Sequence, residues 1–362
     1  MSTLLETVDE SIRARGLFQR GQKILVAVSG GVDSMVLLRL LHELSNKHQW
    51  KLTIAHLNHQ LRGRSSDADE RLVAQTAKAL RLPIVIERAD VRQRAKVGGA
   101  SIEMAAREVR HDFLARTAVR LKIPTIALAH HTDDQVELFF LRLLRGSGSE
   151  GLSGMAWRNR SPFAPKGAKL DLGRPLLDQS KQSLHKYAIE QRVPFREDAS
   201  NRSQDILRNR IRHELLPLLR DKYQPALERI IFQLMEIIGA EFELTEKVMR
   251  ECIADASYYK NFDQLPIAVQ RRMIQTQLRH FKIAADFRLV EALRMFPDKP
   301  VTVAPKTVVL RDTNGILQVR GLERTQPKPG SIDLVLNGAE GTVAFGGKRI
   351  QWKTGRQKTF SV

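Results

Sequence analysis

The chain has 362 residues, enough for two or three domains, and its 42% hydrophobic content excludes wholesale disorder. Lys and Arg number 59 against 40 Asp and Glu, and this net charge of +19 suits a polyanionic partner that binds through counterion release. The single cysteine, Cys252, excludes an intrachain disulfide, a cysteine-based zinc site and an iron–sulfur cluster, and its helical surroundings mark it as a small buried hydrophobe. No apolar run reaches the roughly 18 residues of a membrane span, and the first residues lack a signal-peptide pattern, so a cytoplasmic location without a membrane partner is expected.

In chain order, Ile24, Leu25, Val26, Ala27 and Val28 have the composition of a buried parallel strand. Ser29-Gly30-Gly31 ends it, and Met35, Val36, Leu37, Leu38, Leu40 and Leu41 continue as a helix. Further strands are expected at 52–57, 83–86 and 125–129, alternating with helices at 67–80, 101–122 and 133–144, with Ser66 and Ser101 as helix starts. This alternation predicts an α/β fold with a Rossmann-like parallel sheet, and ligands at the carboxyl ends of its strands. Residues 145–180 read as an extended loop, and Pro217 falls in a kinked helix or a break. Residues 225–295 read as helical, and short apolar segments after Pro297 as a small β-like tail. The expected domains are 1–222, a nucleotide-binding catalytic domain; 223–298, a helical domain; and 299–362, a small β-rich segment.

A strand that turns through Ser and Gly into a helix aims unpaired N–H groups at one point, which suits a phosphate. Asp33 lies inside this turn, and a carboxylate beside bound phosphates calls for a cation between them, Mg²⁺ being the natural one. No Gly-Lys-Ser/Thr follows and the three-glycine dinucleotide spacing is absent. Ser29-Gly30-Gly31-Val32-Asp33-Ser34 instead resembles the pyrophosphate loop (PP-loop) of ATP pyrophosphatases, which implies ATP on Ser29, Gly30, Gly31, Val32, Asp33 and Ser34, with Mg²⁺ on Asp33. His56, Asn58 and His59, with Arg62 and Arg64 beyond them, leave the second strand where they would border the nucleotide. Glu103, Arg107 and Arg110 share a helix face, with the arginines at the margin of the buried side. His130-His131-Thr132-Asp133-Asp134-Gln135-Val136-Glu137 places carboxylates one helical turn apart at a helix start, where they can hold Mg²⁺, receive an ammonium group or accept a proton. Arg202, Arg208, Arg210 and Arg212 concentrate positive charge suited to RNA phosphates.

Taken together, these segments resemble the bacterial tRNA(Ile)-lysidine synthetases over about residues 20–220. They carry, in order, the loop at 29–34, His56-Leu57-Asn58-His59 with Leu61-Arg62, Ala106-Arg107 with Arg110, and Ala129-His130-His131 with Asp133-Asp134-Gln135. Leu144-Arg145-Gly146-Ser147-Gly148, Arg174-Pro175-Leu176-Leu177 and Arg208-Asn209-Arg210-Ile211-Arg212 follow. The family commonly has Glu-Thr where this chain has Glu137-Leu138. The resemblance implies ATP-dependent ligation of free L-lysine to C2 of the wobble cytidine in the CAU anticodon of tRNA(Ile), through an adenylated intermediate, changing the codon read from AUG to AUA. It implies catalytic roles for Asp33, Asp134, Glu137, Arg110 and His130, a nucleotide contact for His56, and tRNA contacts for Arg62, Arg107, Arg145, Arg208, Arg210 and Arg212. It leaves a homodimer open. The rival on the same fold is tRNA thiolation, which needs cysteines that the nucleotide domain lacks; an ammonia-using synthetase and a non-catalytic RNA-binding protein are weaker rivals.

Overall fold

The computed structural model describes residues 3–61, 63–99, 101–196, 206–254, 262–321, 340–345 and 348–353. The chain divides into two compact units, Met1–Leu244 and Thr245–Val362.

The first unit is built on a six-stranded sheet in the order β3-β2-β1-β4-β6-β5. Its strands are β1 (Lys23–Ala27), β2 (Lys51–Asn58), β3 (Ile84–Arg88), β4 (Thr125–Ala127), β5 (Arg158–Arg160) and β6 (Asp171–Gly173), parallel except for the antiparallel edge strand β5. Helices α1 (Leu4–Ala14), α2 (Val32–His48), α3 (Arg64–Ala79), α4 (Val91–Gly98) and α5 (Ile102–Arg120) precede β4. Ile24 and Val26 enter one core with Leu37, Leu40 and Leu41 of α2, while Leu25 enters the other with Phe113, Leu114 and Ile126. Coverage of both faces explains why β1 reads as an unbroken apolar run. The chain order reverses at β1, whose neighbours are β2 and β4, so the loops after β1 and β4 diverge and open a crevice at the strand ends.

After β4 come α6 (Thr132–Leu143), α7 (Ser149–Leu152), α8 (Lys181–Glu190), α9 (Ile206–Arg210), α10 (Leu216–Lys222) and α11 (Leu227–Ala254). Residues 145–180 depart from the expected loop, because β5 and β6 extend the sheet there. Each has three residues and no apolar alternation, so periodicity could not show them. Helix α3 starts at Arg64 on Gly63, whose φ is +50°, and Ser66 is buried inside it rather than capping it. Pro217 does not break its helix. A π-helical turn at Ile211–Leu215, closed by the Leu216 N–H donating to the Ile211 carbonyl, absorbs the irregularity next to the proline.

The second unit has α12 (Ile267–His280), α13 (Phe287–Met295) and a three-stranded antiparallel sheet of β7 (Val301–Ala304), β8 (Thr307–Arg311) and β9 (Leu317–Gly321). Val309 and Leu317 share one core with Phe262, Met273, Leu278, Val290 and the buried Cys252. A hairpin of β10 (Glu340–Phe345) and β11 (Lys348–Lys353) follows. Arg311 is fully buried under the Phe262 ring, with its guanidinium 4.3 Å from the ring centre. It donates to the carbonyls of Leu293 (2.7 Å), Arg294 (3.0 Å) and Asp312 (3.0 Å), which satisfies the end of α13. Arg311→Met should therefore strand buried carbonyls and lower stability by roughly 2–4 kcal/mol in chemical denaturation, whereas a change below about 0.5 kcal/mol would show that these bonds are dispensable.

Candidate functional site

The loop between β1 and α2 is held by its own hydroxyls. Ser34 Oγ accepts from the Ser29 N–H at 3.1 Å and donates to the Gly31 carbonyl at 2.9 Å. Gly30 has φ +97°, and a Cβ there would stand 3.3 Å from Asp69 Cβ, so both conformation and space call for glycine. Gly31 begins α2 without a side-chain cap, leaving the first-turn N–H groups directed outward. An open helix start of this kind suits an anion, the role expected of the loop from sequence.

Two pockets meet at this loop. One, of about 200 Å³, is lined by apolar Ala55, Leu57, Phe113, Leu114 and Leu128, with Arg110, His59 and His130 at its polar side. The other, of about 510 Å³, is lined by Asp33, Asp133, Asp134 and Glu137 facing Lys181, Arg196, Arg212 and Arg220. Ser29, Gly31 and Asp33 line both. The lining of the first suits a flat, largely apolar group; that of the second suits a molecule carrying charges of both signs.

His131 organises the acids. Its Nε2 lies 3.6 Å from Asp33 Oδ2 and 3.6 Å from Asp134 Oδ2, and its Nδ1 3.6 Å from Asp133 Oδ2. Burial alone would lower its pKa, but pairing with Asp133 and Asp33 and the charge of Asp134 raise it to about 10. Asp133, for which burial acts upward, is held down at about 2 by His131, the Lys181 N–H and Arg220. Asp33 Oδ1 is buried without a hydrogen-bond partner among the described residues. Those residues contain no group of three or more His, Cys, Asp or Glu arranged to hold a metal. Mg²⁺ needs none, since it binds through one or two carboxylates together with substrate phosphates.

Glu137 is buried, and its oxygens accept from Arg212 Nε (2.5 Å) and Nη2 (2.7 Å) and from Arg208 Nε (3.2 Å). Arg208 also approaches Asp134 Oδ1 at 3.9 Å and Glu103 Oε1 at 3.4 Å. Asp134, with 20% of its side chain exposed against 6% for Glu137, is the more open carboxylate. Arg210 instead points away and pairs with Glu214 at the surface. Arg107 and Arg145 are exposed, and Arg62 and residues 198–202 lie outside the described residues. His56 lines neither pocket; its Nδ1 donates to the Val28 carbonyl at 2.8 Å, a strut beneath the loop. Burial lowers its pKa, in keeping with a neutral ring whose Nδ1 carries the proton.

Several lining residues escaped sequence reasoning. Lys181, Arg196 and Arg220 come from segments whose surroundings carry no motif. Arg174 stood in a recognised segment but gave no sign of its role. It is 7% exposed and donates to the Ala156 carbonyl (2.7 Å) and Asn159 Oδ1 (2.6 Å). It follows β6, whose pairing with β4 sets it beside the segment bearing His130. Burial and the nearby Arg107 pull its pKa down to about 10. Burial, with Arg174, Arg110 and Arg107 around it, also drives His130 well below the ordinary histidine value.

His111 reports on this basic cluster. It stacks on Phe163 at 5.5 Å, and burial together with Arg110, Arg107 and Arg174 lowers its pKa to about 4. A depressed histidine stabilises the fold fully above its unfolded value near 6.5, and that contribution is lost as pH falls through about 4. An NMR titration should find His111 midpoint near 4, and His111→Asn should flatten the fall in stability between those pH values. A midpoint near 6.5 would contradict the burial of His111 and the proximity of the arginines.

A family model described as a PP-loop domain matches residues 4–219. The chain is 39% identical over 252 residues to a tRNA(Ile)-lysidine synthase of Dehalococcoides mccartyi, covering 70% of this chain and 53% of that protein. It is 38% identical over 259 residues to one of Geobacter sulfurreducens, again covering 70% of this chain and 53% of the relative. The chain thus spans about half the length of the curated relatives it matches. Among solved structures, the U34-tRNA thiolase of Methanococcus maripaludis with its 4Fe-4S cluster superimposes with a TM-score of 0.53 at 17% identity, over 65% of this chain and 79% of that one, a likeness of fold alone. The uncapped phosphate loop, the crevice at the β1/β4 reversal and the matched span agree: the chain belongs to the PP-loop family.

Proposed function

We propose that this chain uses ATP to join the side-chain amine of free L-lysine to C2 of the wobble cytidine in the CAU anticodon of tRNA(Ile). The observation that carries this reading is the meeting of an apolar slot and a doubly charged pocket at Ser29, Gly31 and Asp33. ATP-dependent ligation of an amino acid needs a nucleoside site and a zwitterion site sharing one phosphate-binding edge. The names of the relatives supply the identity of the RNA and of the product.

In this reading the adenosine enters the slot between Leu57, Phe113 and Leu128, and the loop N–H groups hold the phosphates. The wobble base's C2 oxygen attacks the α-phosphorus, and the bond to pyrophosphate breaks. Asp33 would hold Mg²⁺, which when bound neutralises charge on the leaving pyrophosphate. Arg110 and neutral His130 border the slot where the adenylated base forms. The lysine amine then attacks C2, AMP leaves, and the proton passes from the amine to a carboxylate. Asp134 is the better placed acceptor, since Glu137 holds Arg208 and Arg212 in ion pairs. Glu137 keeps a part in lysine binding by setting those arginines against the cleft. Arg62, Arg107, Arg145 and Arg210 join Arg208 and Arg212 as the proposed tRNA contacts.

Incubation with ATP, Mg²⁺, labelled lysine and bulk bacterial tRNA should place label in the RNA. Asp33→Asn should cut pyrophosphate release by on the order of a hundredfold or more with folding intact. Absence of label in RNA, with ATP bound normally, would overturn the lysine assignment; near-full turnover of Asp33→Asn would overturn the role of Asp33.

A further inference from the structure

Helix α4 has no part in the pockets that take ATP and lysine in the reading above, yet its charge is wholly of one sign. Its sequence, Val91-Arg92-Gln93-Arg94-Ala95-Lys96-Val97-Gly98, has three cations and no acid. Only Val91 and Ala95 are buried, in a small cluster with Leu61, Ile102, Ala105 and Ala106. Arg92, Arg94 and Lys96 are exposed, and among the described residues none forms an ion pair; Arg92 donates only to the Leu61 carbonyl, at 3.3 Å.

The acids nearby are engaged elsewhere. Asp90 caps α4 by accepting from the Gln93 N–H, Glu70 holds Arg88 and Asn58, and Glu103 meets Arg208. Glu108, like Glu103, is an exposed acid of the adjoining stretch of α5. Exposed apolar side chains sit among the cations: Val97 is 84% exposed and Met104 58%.

The helix also stands in a telling place. It starts three residues past the carboxyl end of β3, at the same end of the parallel strands as the phosphate loop. From its far end α5 leads back to the nucleotide slot, with Met104, Arg107 and Arg110 three residues apart along one side and Arg110 lining the slot. Cations interleaved with apolar side chains, continuous with a nucleotide slot, match a strand that offers phosphates and base faces alternately.

We infer that the exposed face of α4, continued by Met104 and Arg107 of α5, is a docking surface for a single-stranded stretch of the substrate RNA beside the nucleotide being modified. This rests on the RNA-modifying function proposed above. Arg92, Arg94 and Lys96 take phosphates, while Val97 and Met104 lie against bases. An anionic membrane would meet the same charges, but the continuity of the stripe into the slot favours RNA.

The test is the full chain carrying Arg92→Glu, Arg94→Glu and Lys96→Glu together, compared with wild type in binding bulk bacterial tRNA between about 50 and 200 mM salt. All three side chains are exposed, and ATP binding by calorimetry checks that the variant is folded. The expected result is tRNA affinity at least tenfold weaker at low salt, a slope of log affinity against log salt shallower by about 2–3, and unchanged ATP affinity. Equal affinity and slope in the two proteins would overturn the inference. So would loss of binding to phosphatidylserine vesicles with tRNA binding intact. Lysine transfer measured alongside separates the two claims: wild type that transfers no lysine, while the variant loses tRNA affinity, sinks the reaction and leaves the surface standing.

Discussion

Helix α2 starts on Gly31, which has no side chain to offer its first-turn N–H groups. Five other described helices fill theirs, with Thr3, Asp90, Ser101, Ser180 and Asp286 each accepting a backbone N–H at the helix start. Those starting on Gly63, Gly148 and Pro266 also lack a side-chain cap, but these residues line neither pocket at the phosphate loop. A helix end left uncapped at the mouth of a crevice costs stability unless an anion completes it. The surroundings follow from that constraint. Gly30 must be glycine for the chain to turn against Asp69, Ser34 must tie the turn together, and His56 must brace the strand end through Val28.

Around this positive point the protein sorts its charges into two groups. Arg110, Arg174 and His130 cluster on the slot side, where burial and mutual repulsion lower their affinity for protons. The acids gather on the other side, fastened by His131, Arg212 and Arg220. A buried carboxylate such as Glu137 is tolerable only when paired, and its pairing with two arginines of the 206–215 segment makes that segment a wall of the site. The π-helical turn that carries Arg212 gives this wall its register, and turns of that kind recur at functional sites.

Much of this was legible in the sequence because it rests on local chemistry. The unbroken apolar run of β1 and the Ser-Gly-Gly turn into α2 declare a strand, a tight loop and a helix without long-range information. The match of residues 4–219 to the PP-loop domain agrees with the expected α/β fold. What stayed hidden depends on packing between distant segments. β5 and β6 have no periodicity and exist because they complete a sheet edge. Arg196 and Arg220 carry no motif, yet both line the acidic pocket. The engagement of Glu137 by Arg208 and Arg212 joins residues 71 and 75 positions apart, and spacing along a single helix cannot report that.

In the proposed reaction the two pockets divide the chemistry at the phosphate loop, with RNA adenylated in the slot before an amine is used. The most direct measurement is incubation with ATP labelled at the α-phosphate, Mg²⁺ and bulk bacterial tRNA, with lysine left out. The α-label should become acid-precipitable with the RNA, and adding lysine should chase it into free AMP. Label that passes only to free AMP, or stays in ATP until lysine is added, would contradict this order of steps.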